Sequence, residues 1–297
     1  MRRVIHENPL AYVLGMQGAA LLRAFTGEYD RAFTEARIAE IRALLDDERF
    51  AGAAVDVERV GTVDGYRVWS RTYDDEDNGA FDFDQPAVTA ILDTLPAGVA
   101  LDAACGTGRY AALLAERGHD VIGVDSSPDM LERAERRVPS GRFRAGDLHR
   151  LPVGDGEVDL VVCGLALAHV PDLGPPMAEF ARVLRPGGHL VIADMHPESI
   201  ARGSVPTVRD DTGRPGRVAC HRHRMGDYLR AALAADLRLL RCEEPVLPVP
   251  DPLPPAADTL GPWEAWPWSL AAVVPEAAAA ATSGSPVTVI WQFQLRE

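Results

Sequence analysis

Apolar residues recur with helical spacing near the start of the chain. The spacing predicts two helices within residues 9–46, with a break at Gly27. The first helix presents Leu10, Val13, Leu14, Ala20, Leu21 and Leu22, and the second presents Ala32, Phe33, Ile38, Ile41, Leu44 and Leu45. Residues 53–84 are aromatic and acidic without a clear period, so we interpret them as a connecting or lid segment.

From Val99 onward, short apolar runs alternate with helical segments. The predicted strands are residues 99–103, 120–124, 142–145, 158–163, 189–194, 237–242 and 287–293. The predicted helices among the first five strands are residues 108–117, 128–137 and 175–184. This alternation favours a parallel sheet with helices on both faces, which is a doubly wound α/β fold.

The pattern also suggests how the chain is divided. We predict an N-terminal helical extension and lid over residues 1–84 and a main domain over residues 85–297. Residues 248–286, which are rich in proline and hold three of the five tryptophans, form an insert between the last two predicted strands.

Composition removes several chemistries. The sequence contains no lysine, so all 30 basic residues are arginine, and a P-loop lysine or a Schiff-base lysine is excluded. The net charge of −14 argues against a nucleic-acid partner, which needs a clustered basic face. The four cysteines form no C-x-x-C pair, which is typical of a reduced, cytoplasmic protein. No run approaches the roughly 18 apolar residues of a membrane span, so we expect no membrane partner.

The glycine-rich turn after the first predicted strand of the main domain is compatible with two kinds of nucleotide site. Gly106, Gly108 and Ala111 fit the dinucleotide pattern G-x-G-x-x-G/A, and Asp125 lies at a suitable distance for a ribose. Asp102, however, lies just inside the strand, and an acid is unfavourable beside a pyrophosphate. A carboxylate suits a ligand with an ammonium group, and S-adenosylmethionine is such a ligand.

Two later stretches favour the second kind of site. "FRAGDLHRLPV" places Asp147 and Leu148 at the end of the next strand, where they can pair with an adenine edge. "RVLRPGGHLVIAD" predicts a helix, a tight Pro-Gly-Gly turn and a strand, because paired glycines allow positive φ.

The stretch from Tyr66 to Ile192 resembles the class I S-adenosylmethionine-dependent methyltransferase family, in particular its small-molecule, quinone-biosynthesis-like group. "LDAACGTGR", "VIGVDSSPDML", "GDLHRLPV", "VDLVVCGLALAHV" and "LRPGGHLVI" resemble the family's motifs in order. One departure is Ala104, where the family has the first glycine of the loop. The resemblance implies a Rossmann-like methyltransferase fold, namely a mostly parallel seven-stranded sheet with an antiparallel last strand. It also implies S-adenosylmethionine as cofactor.

The resemblance further implies a set of cofactor-binding residues. These are the lid tyrosines Tyr66 and Tyr73, the methionine-binding stretch Asp102, Ala104, Cys105, Gly106, Thr107, Gly108 and Arg109, the ribose ligand Asp125, the adenine contacts Ser126, Met130, Asp147 and Leu148, and Gly164 and Leu165 near the methyl group. Packing in a helix core is an alternative for Met130, and packing of a helix onto the domain is an alternative for Tyr66, Trp69 and Tyr73.

The acceptor is expected beyond the carboxyl ends of the strands, where ligands bind in open α/β sheets. We predict that the insert, with the N-terminal helices, forms a wall of the acceptor pocket. The candidate substrate-binding residues are Trp69, Trp263, Trp266, His221 and His223. The alternative is that the insert is a surface packing loop or a dimer contact.

Two histidines follow strand ends and are candidate catalytic bases. His169 follows the fourth predicted strand and His196 the fifth, although a local hydrogen-bonding role is an alternative for His169. His221 and His223 would face one way on a strand, but no third ligand stands at metal spacing, so we predict no metal site.

The leading interpretation is a cytoplasmic methyltransferase that acts on a small-molecule acceptor, with a homodimer through the N-terminal helices as one arrangement. A cyclase of the same fold, which uses the cofactor as a scaffold, needs the same motifs. A nicotinamide-dependent oxidoreductase and a non-catalytic binding module also remain open. Asp102, Asp147 and the Pro-Gly-Gly stretch argue against the oxidoreductase.

Overall fold

The computed structural model of the protein describes residues 4–62, 65, 81–210 and 212–297. Its strands are β1 Val4–Glu7, β2 Val55–Val60, β3 Val99–Ala103, β4 Asp120–Asp125, β5 Arg142–Ala145, β6 Val158–Gly164, β7 Leu184–Met195, β8 Thr207–Arg209, β9 Pro215–Val218, β10 Leu237–Glu243 and β11 Thr288–Leu295. Its α-helices are α1 Pro9–Phe25, α2 Arg31–Leu45, α3 Phe81–Leu92, α4 Arg109–Glu116, α5 Pro128–Arg137, α6 Gly174–Val183, α7 Pro197–Ala201, α8 Met225–Ala234, α9 Trp268–Ala271 and α10 Pro275–Thr282.

These elements divide between two compact units, each assembled from three segments of the chain. The first unit contains Met1–Val60, Gly203–Val218 and Val246–Ser285. The second contains Gly61–Arg202, Ala219–Pro245 and Pro286–Glu297. The two units are defined by how compactly their residues pack. The predicted functional division between residues 84 and 85 stays a prediction.

The second unit holds a seven-stranded sheet in the order β10-β11-β7-β6-β3-β4-β5. Strand β11 runs antiparallel to both of its neighbours, whereas β7, β6, β3, β4 and β5 pair in parallel. The predicted fold, with its antiparallel last strand, is confirmed.

Helices cover both faces of this sheet because the central strands are apolar on both sides. Leu101 and Val161 pack with Phe180 of α6 in one buried cluster. The neighbouring residues in the strands, Ala100 and Leu160, pack in a different cluster with α3 and α4. Alternate residues of a strand point to opposite faces, so the two clusters are the two layers of a doubly wound sheet.

The Pro-Gly-Gly stretch differs from its prediction. It does not separate a helix from a strand, since β7 already begins at Leu184 and runs through it. The pairing register of β6 and β7 shifts between Val158 and Leu160, beside this stretch. Gly187 has a φ of 78°, and a Cβ on Gly188 would lie 2.8 Å from the Arg185 carbonyl oxygen. The glycines therefore permit an irregularity inside a strand.

The first unit contains a four-stranded sheet that the hydrophobic pattern did not predict. Its order is β1-β2-β9-β8, and β2 lies inside the range interpreted as a connecting or lid segment. The strand pairs join residues far apart in sequence, for example Glu58 with Gly216. Helices α1 and α2 agree with the predicted helices, and each begins at a capping side chain, Asn8 and Asp30 respectively.

Candidate functional site

A cavity of about 400 Å³ lies in the second unit at the carboxyl ends of β3, β4, β5 and β6. Predicted site residues that line it are Ala104, Gly106, Asp125, Ser126, Met130, Asp147, Leu148, Gly164, Leu165 and His169. Lining residues that no sequence motif assigned to a ligand are Gly61, Thr62, Val124, Ser127, Gly146, His149, Ala166, Val170 and Pro171. The residues from four strand ends therefore converge on one space.

Asp125, at the end of β4, is the carboxylate whose bonds are best defined in this cavity. One of its oxygens accepts the N–H of Gly106 and the other accepts the N–H of Ser127, each at 2.8 Å. The N–H of Ser126 also donates to this carboxylate. The two oxygens together have about four acceptor positions, so at least one remains for a ligand. Burial raises the pKa of Asp125 above its ordinary value, while the backbone N–H donors oppose that shift. This carboxylate can therefore accept a hydroxyl group.

The glycine turn between β3 and α4 uses its own amides internally. The N–H of Gly106 donates to Asp125, and the N–H of Gly108 donates to the Cys105 carbonyl oxygen at 2.8 Å. Ala104 and Gly106 have positive φ values of 59° and 52°, so the turn is left-handed at both positions. The N–H groups of Gly106 and Gly108 are already occupied, so the turn is poorly suited to bind a pyrophosphate.

Asp102 is buried next to this turn and contributes to the start of α4. Its side chain is only 1% exposed and accepts the N–H of Ala111 at 2.8 Å. Burial raises the pKa of Asp102 to about 7. The carboxyl group therefore sits between its neutral and charged forms near neutral pH.

The other predicted members of the turn have side chains engaged within the protein. Cys105 packs with Leu131 and Ala134, and Thr107 accepts a hydrogen bond from Arg137 at 3.1 Å. The guanidinium of Arg109 forms two hydrogen bonds, of 2.9 and 2.6 Å, with Asp84. Asp102, Cys105, Thr107, Gly108 and Arg109 are not among the described residues that line the cavity.

Asp147 lies after β5 and is held by a neighbour in sequence. It accepts the backbone N–H of His149 at 2.7 Å and lies 2.5 Å from Nδ1 of the same residue. Partial burial raises the pKa of Asp147, but the bonds from His149 outweigh it, and the pKa lies below its ordinary value. Asp147 is therefore an ionised acceptor at the cavity wall.

The end of β6 approaches α4 so closely that only glycine fits. A Cβ on Gly164 would lie 2.1 Å from the ring of Tyr110. Tyr110 is fixed in turn, since its hydroxyl donates to Asp84 at 2.7 Å. The next residue, Leu165, has a φ of 54°, and its N–H donates to the Ala193 carbonyl at 2.7 Å. Sequence reasoning missed Asp84, because it is one of several acids in an aromatic and acidic segment and nothing in the sequence indicates its partners.

His169 closes a short 3-10 turn, Leu167–His169, at the cavity. Its Nδ1 lies 2.8 Å from the carbonyl oxygen of Ala219. A carbonyl oxygen only accepts, so Nδ1 carries the proton and, in the neutral ring, Nε2 holds the lone pair. Burial lowers the pKa of His169, which favours this neutral form. The ring is thus in a state that can accept a proton.

His196 has a different environment. Its Nδ1 accepts the N–H of Glu198 and caps α7, and its Nε2 lies 2.9 Å from the Glu244 carboxylate. Both ring nitrogens are engaged, and the side chain is 3% exposed. His196 is not among the described lining residues of the cavity, and its catalytic role stays a prediction.

The candidate acceptor residues are distributed over both units. Trp263 and Trp266 are buried in the core of the first unit, where their indole N–H groups donate to Glu7 and to the Leu260 carbonyl. His221 and His223 lie in the second unit, in an irregular segment and not on the strand that their alternation suggested. Tyr66, Trp69 and Tyr73 lie outside the described residues.

Two kinds of feature are absent from the described residues. No group of three or more histidine, cysteine, aspartate or glutamate side chains in the described ranges is placed to hold a metal ion. Among the helices of those same ranges, none has the length and apolar character required to cross a membrane.

Sequence comparison relates the central part of the chain to methyltransferases. Residues 101–192 match a family described as a methyltransferase domain. A demethylmenaquinone methyltransferase of Beutenbergia cavernae is 43% identical over 108 residues, which cover 35% of this chain and 45% of that protein. A malonyl-[acyl-carrier protein] O-methyltransferase of Serratia marcescens is 34% identical over 110 residues, which cover 37% and 41%. The chain thus spans less than half of the length of these relatives.

Solved structures show the same fold over a larger part of the chain. An S-adenosylmethionine-dependent methyltransferase from Mesorhizobium loti aligns with a TM-score of 0.51 at 23% identity, covering 73% of this chain and 99% of that one. The structure of a Haloferax volcanii complex between the Trm112 methyltransferase activator and a methyltransferase aligns with a TM-score of 0.57 at 22% identity, covering 79% and 99%.

Proposed function

We propose that this chain, whose residues 101–192 match a methyltransferase domain, is a class I S-adenosylmethionine-dependent methyltransferase that transfers the methyl group of S-adenosylmethionine to a small-molecule acceptor. The observation that carries the proposal is the Asp125 carboxylate. It lines the cavity, is fixed by the backbone N–H groups of Gly106, Ser126 and Ser127, and retains an acceptor position for a ligand. That arrangement suits a hydroxyl group of a ribose.

The remaining lining accommodates the rest of the cofactor. Asp147 is an ionised acceptor for the adenine amino group, and the adjacent Leu148 offers its backbone. Ala104 and Gly106 form the wall where the methionine part would lie, with Asp102 as a buried carboxylate behind them. Gly164 and Leu165 form the wall near the transferred methyl group.

The turn geometry supports this ligand over a dinucleotide. A pyrophosphate needs free N–H donors at the start of the helix, yet Gly106 and Gly108 already donate within the chain. Asp102 and Asp125 also place two carboxyl groups beside the turn. A cationic ligand without phosphate fits these groups, because its charge opposes theirs.

Methyl transfer from a sulfonium is an in-line displacement that the protein promotes by alignment and exclusion of water. When bound, with Asp125 and Asp147 holding its nucleoside, S-adenosylmethionine would supply an electrophilic methyl carbon for a lone pair of the acceptor, and its sulfur would keep the electron pair of the broken carbon–sulfur bond. We assign His169 as the base for acceptors that must lose a proton, which then moves to Nε2. Its neutral tautomer and its place in the cavity lining support this assignment.

We propose the class of the acceptor, a small molecule, and not its identity. The relatives are named for demethylmenaquinone and for a malonyl-[acyl-carrier protein], and both align only over part of their length. Relatives that are named for different acceptors share this region, so we infer that it binds the cofactor and does not determine the acceptor. The homodimer through the N-terminal helices, the cytoplasmic location and the acceptor-wall role of Trp263 and Trp266 stay predictions.

Titration calorimetry with S-adenosylmethionine, S-adenosylhomocysteine and NAD tests the cofactor. We expect binding of the first two and none of NAD. Asp125→Asn should weaken S-adenosylmethionine at least about 10-fold, because the amide nitrogen replaces an acceptor with a donor. Asp129→Asn, on the exposed start of α5, is the matched control and should bind as the parent does. Tight NAD binding would refute the proposal.

Mass spectrometry of products from candidate metabolites then tests the reaction. Methyl transfer adds one methyl group and releases S-adenosylhomocysteine in equal amount. A product of unchanged mass formed without S-adenosylhomocysteine would instead indicate the cyclase alternative, in which the cofactor is a scaffold.

A further inference from the structure

An irregular segment, residues 219–223, contacts the turn that carries His169 at several points, and one of them is Cys220 Sγ, which lies 3.7 Å from Nδ1 of His169. The N–H of His221 donates to the Ala168 carbonyl at 2.6 Å, and the ring of His223 contacts the Val170 carbonyl through Nε2 at 2.8 Å. In the opposite direction, the Ala219 carbonyl accepts from Nδ1 of His169 at 2.8 Å. Both segments belong to the second unit.

The His223 contact joins a side chain of the irregular segment to the backbone of the turn, and its direction is defined. A carbonyl oxygen only accepts, so Nε2 of His223 carries a proton and donates it to Val170. The side chain is 8% exposed, and its ring meets Tyr228 edge to face at a centroid distance of 5.9 Å. A buried donor held by an aromatic neighbour fixes the carbonyl that directly follows His169.

A second network fixes the turn from the end of β7. Asp194 is fully buried and accepts the hydroxyl of Tyr228 at 2.7 Å and the N–H of Met195 at 2.9 Å. Asp194 also accepts a backbone hydrogen bond from Ala168. Tyr228 therefore contacts both His223 and Asp194, and both of these side chains bind the backbone of the His169 turn.

We propose that His223 is a positioning residue, which holds the Val170 carbonyl and thereby fixes the ring of His169 with Nδ1 on the Ala219 carbonyl and the lone pair on Nε2. This role differs from the substrate contact predicted from the sequence. It rests on the proposed function only in assigning the chemistry of Nε2.

The consequence for the reaction concerns alignment. A base contributes only when it lies within hydrogen-bond reach of the proton that it accepts. Loss of the Val170 contact frees the turn on one side and lets the His169 ring leave the Ala219 carbonyl. The second ring tautomer then becomes populated, and in that tautomer Nε2 carries a proton and cannot act as a base.

The test is a matched pair of variants, His223→Gln and His223→Asn. The amide nitrogen of glutamine occupies nearly the position of Nε2 and can donate to Val170, whereas that of asparagine falls short. Long-range ¹H–¹⁵N spectra of the ligand-free protein report the tautomer of His169, with the signal assigned by its loss in His169→Gln. We expect the parent and His223→Gln to show Nδ1–H, and His223→Asn to show a mixture.

Hydrogen exchange supplies a second measurement. The amides of His169 and Val170 bond within the turn, to Ala166 and Leu167. We expect them to exchange about 5- to 10-fold faster in His223→Asn, the effect of one lost hydrogen bond, and at the parent rate in His223→Gln. Arg222→Ala, an exposed change in the same segment, is the control and should alter neither measurement.

An unchanged His169 tautomer and unchanged exchange in His223→Asn would overturn the inference. If His223→Asn does not fold, the inference stands or falls on His223→Gln, whose spectrum must match that of the parent. Because these measurements need no acceptor and no cofactor, they can support the positioning role even if the product analysis rejects methyl transfer.

Discussion

At the scale of single residues, three carboxyl groups near the cavity differ because their surroundings differ. Asp147 is bonded by the adjacent His149 and stays ionised. Asp125 is half-buried and accepts the backbone N–H groups of Gly106, Ser126 and Ser127, so it is a fixed acceptor. Asp102 accepts a single N–H in a fully buried position, and burial raises its pKa to about 7. The same carboxyl side chain thus has different properties at the three positions, because its burial and its hydrogen-bond donors differ.

The raised pKa of Asp102 makes a prediction for stability. Between the ordinary pKa of 3.8 and the folded value of about 7, the folded state keeps a proton that the unfolded state has released. The free energy of unfolding of the parent should therefore fall, relative to Asp102→Asn, by about 1.4 kcal/mol per pH unit across that window. Urea unfolding at pH 5 and pH 7 measures the difference.

Asparagine is the informative substitution because its carbonyl can still accept the Ala111 N–H. Relative to Asp102→Asn, Asp102→Ala removes that acceptor and should cost about 1–3 kcal/mol at every pH, since a buried donor is left unpaired and neither side chain titrates. A difference between the parent and Asp102→Asn that does not change with pH would contradict the raised pKa.

His169 makes a prediction for rate. Only its neutral form can accept a proton, and burial places its pKa below the ordinary 6.5. For an acceptor that loses a proton, kcat/KM should therefore fall as the pH decreases through a value below 6.5. His169→Gln should remove this acidic limb and lower kcat about 10²- to 10⁴-fold. An acidic limb that persists unchanged in His169→Gln would assign the base elsewhere.

At the scale of elements, the sequence predicts the strands and helices of the second unit well because each has a local signal. Ser127 and Pro128 predict the start of α5, and Ser127 does accept the Met130 N–H there. The irregularity at Gly187 was not predictable, because its cause is the register between β6 and β7. The left-handed φ of Ala104 and Leu165 also has no local signal, since both residues ordinarily avoid it.

The contact between β6 and α4 makes a prediction at this scale. Gly164→Ala would place a methyl group 2.1 Å from the Tyr110 ring, which its bond to Asp84 prevents from moving away. We expect a loss of stability of about 1–3 kcal/mol or more. We also expect weaker binding of S-adenosylmethionine, because Gly164 lines the cavity. Thermal unfolding and calorimetry measure the two effects.

Gly15→Ala is the matched control. Gly15 lies within α1, and a Cβ there meets no atom within 4 Å outside the helix's own backbone. The same chemical change should therefore stabilise the protein by about 0.5–1 kcal/mol. If Gly164→Ala and Gly15→Ala change the free energy of unfolding equally, the close approach at Gly164 does not affect stability.

At the scale of the whole molecule, the assembly of the first unit is the part that the sequence did not predict, although helical periodicity did predict its helices α1 and α2. Three segments far apart in the chain form the unit, and the contacts between segments leave no signal in any one of them. Arg217 shows how they are joined. Its guanidinium bonds Glu7 at 2.7 and 3.0 Å, the Val205 carbonyl at 2.6 Å and the Trp266 carbonyl at 3.2 Å. Each segment thus contributes a partner to one buried cation.

This junction yields a prediction for folding. Arg217→Ala leaves the carboxylate of Glu7 without its cation, and the side chains of this pair are only 8% and 16% exposed. Removing one partner of a buried pair costs about 3–5 kcal/mol. Urea unfolding followed by tryptophan fluorescence should report the loss, because Trp263 donates to the same Glu7 carboxylate.

Arg209→Ala separates this effect from a general loss of arginine. Arg209 pairs with Glu264 in the same unit, but the two side chains are 42% and 48% exposed, so its removal should cost no more than about 1 kcal/mol. Both arginines also lie over the Trp263 ring, at 5.4 and 5.5 Å from its centroid, so a fluorescence change common to both variants reports only that contact. If the two variants unfold at the same urea concentration, Arg217 does not hold the three segments together, and the apolar core around Trp263 and Trp266 must do so instead.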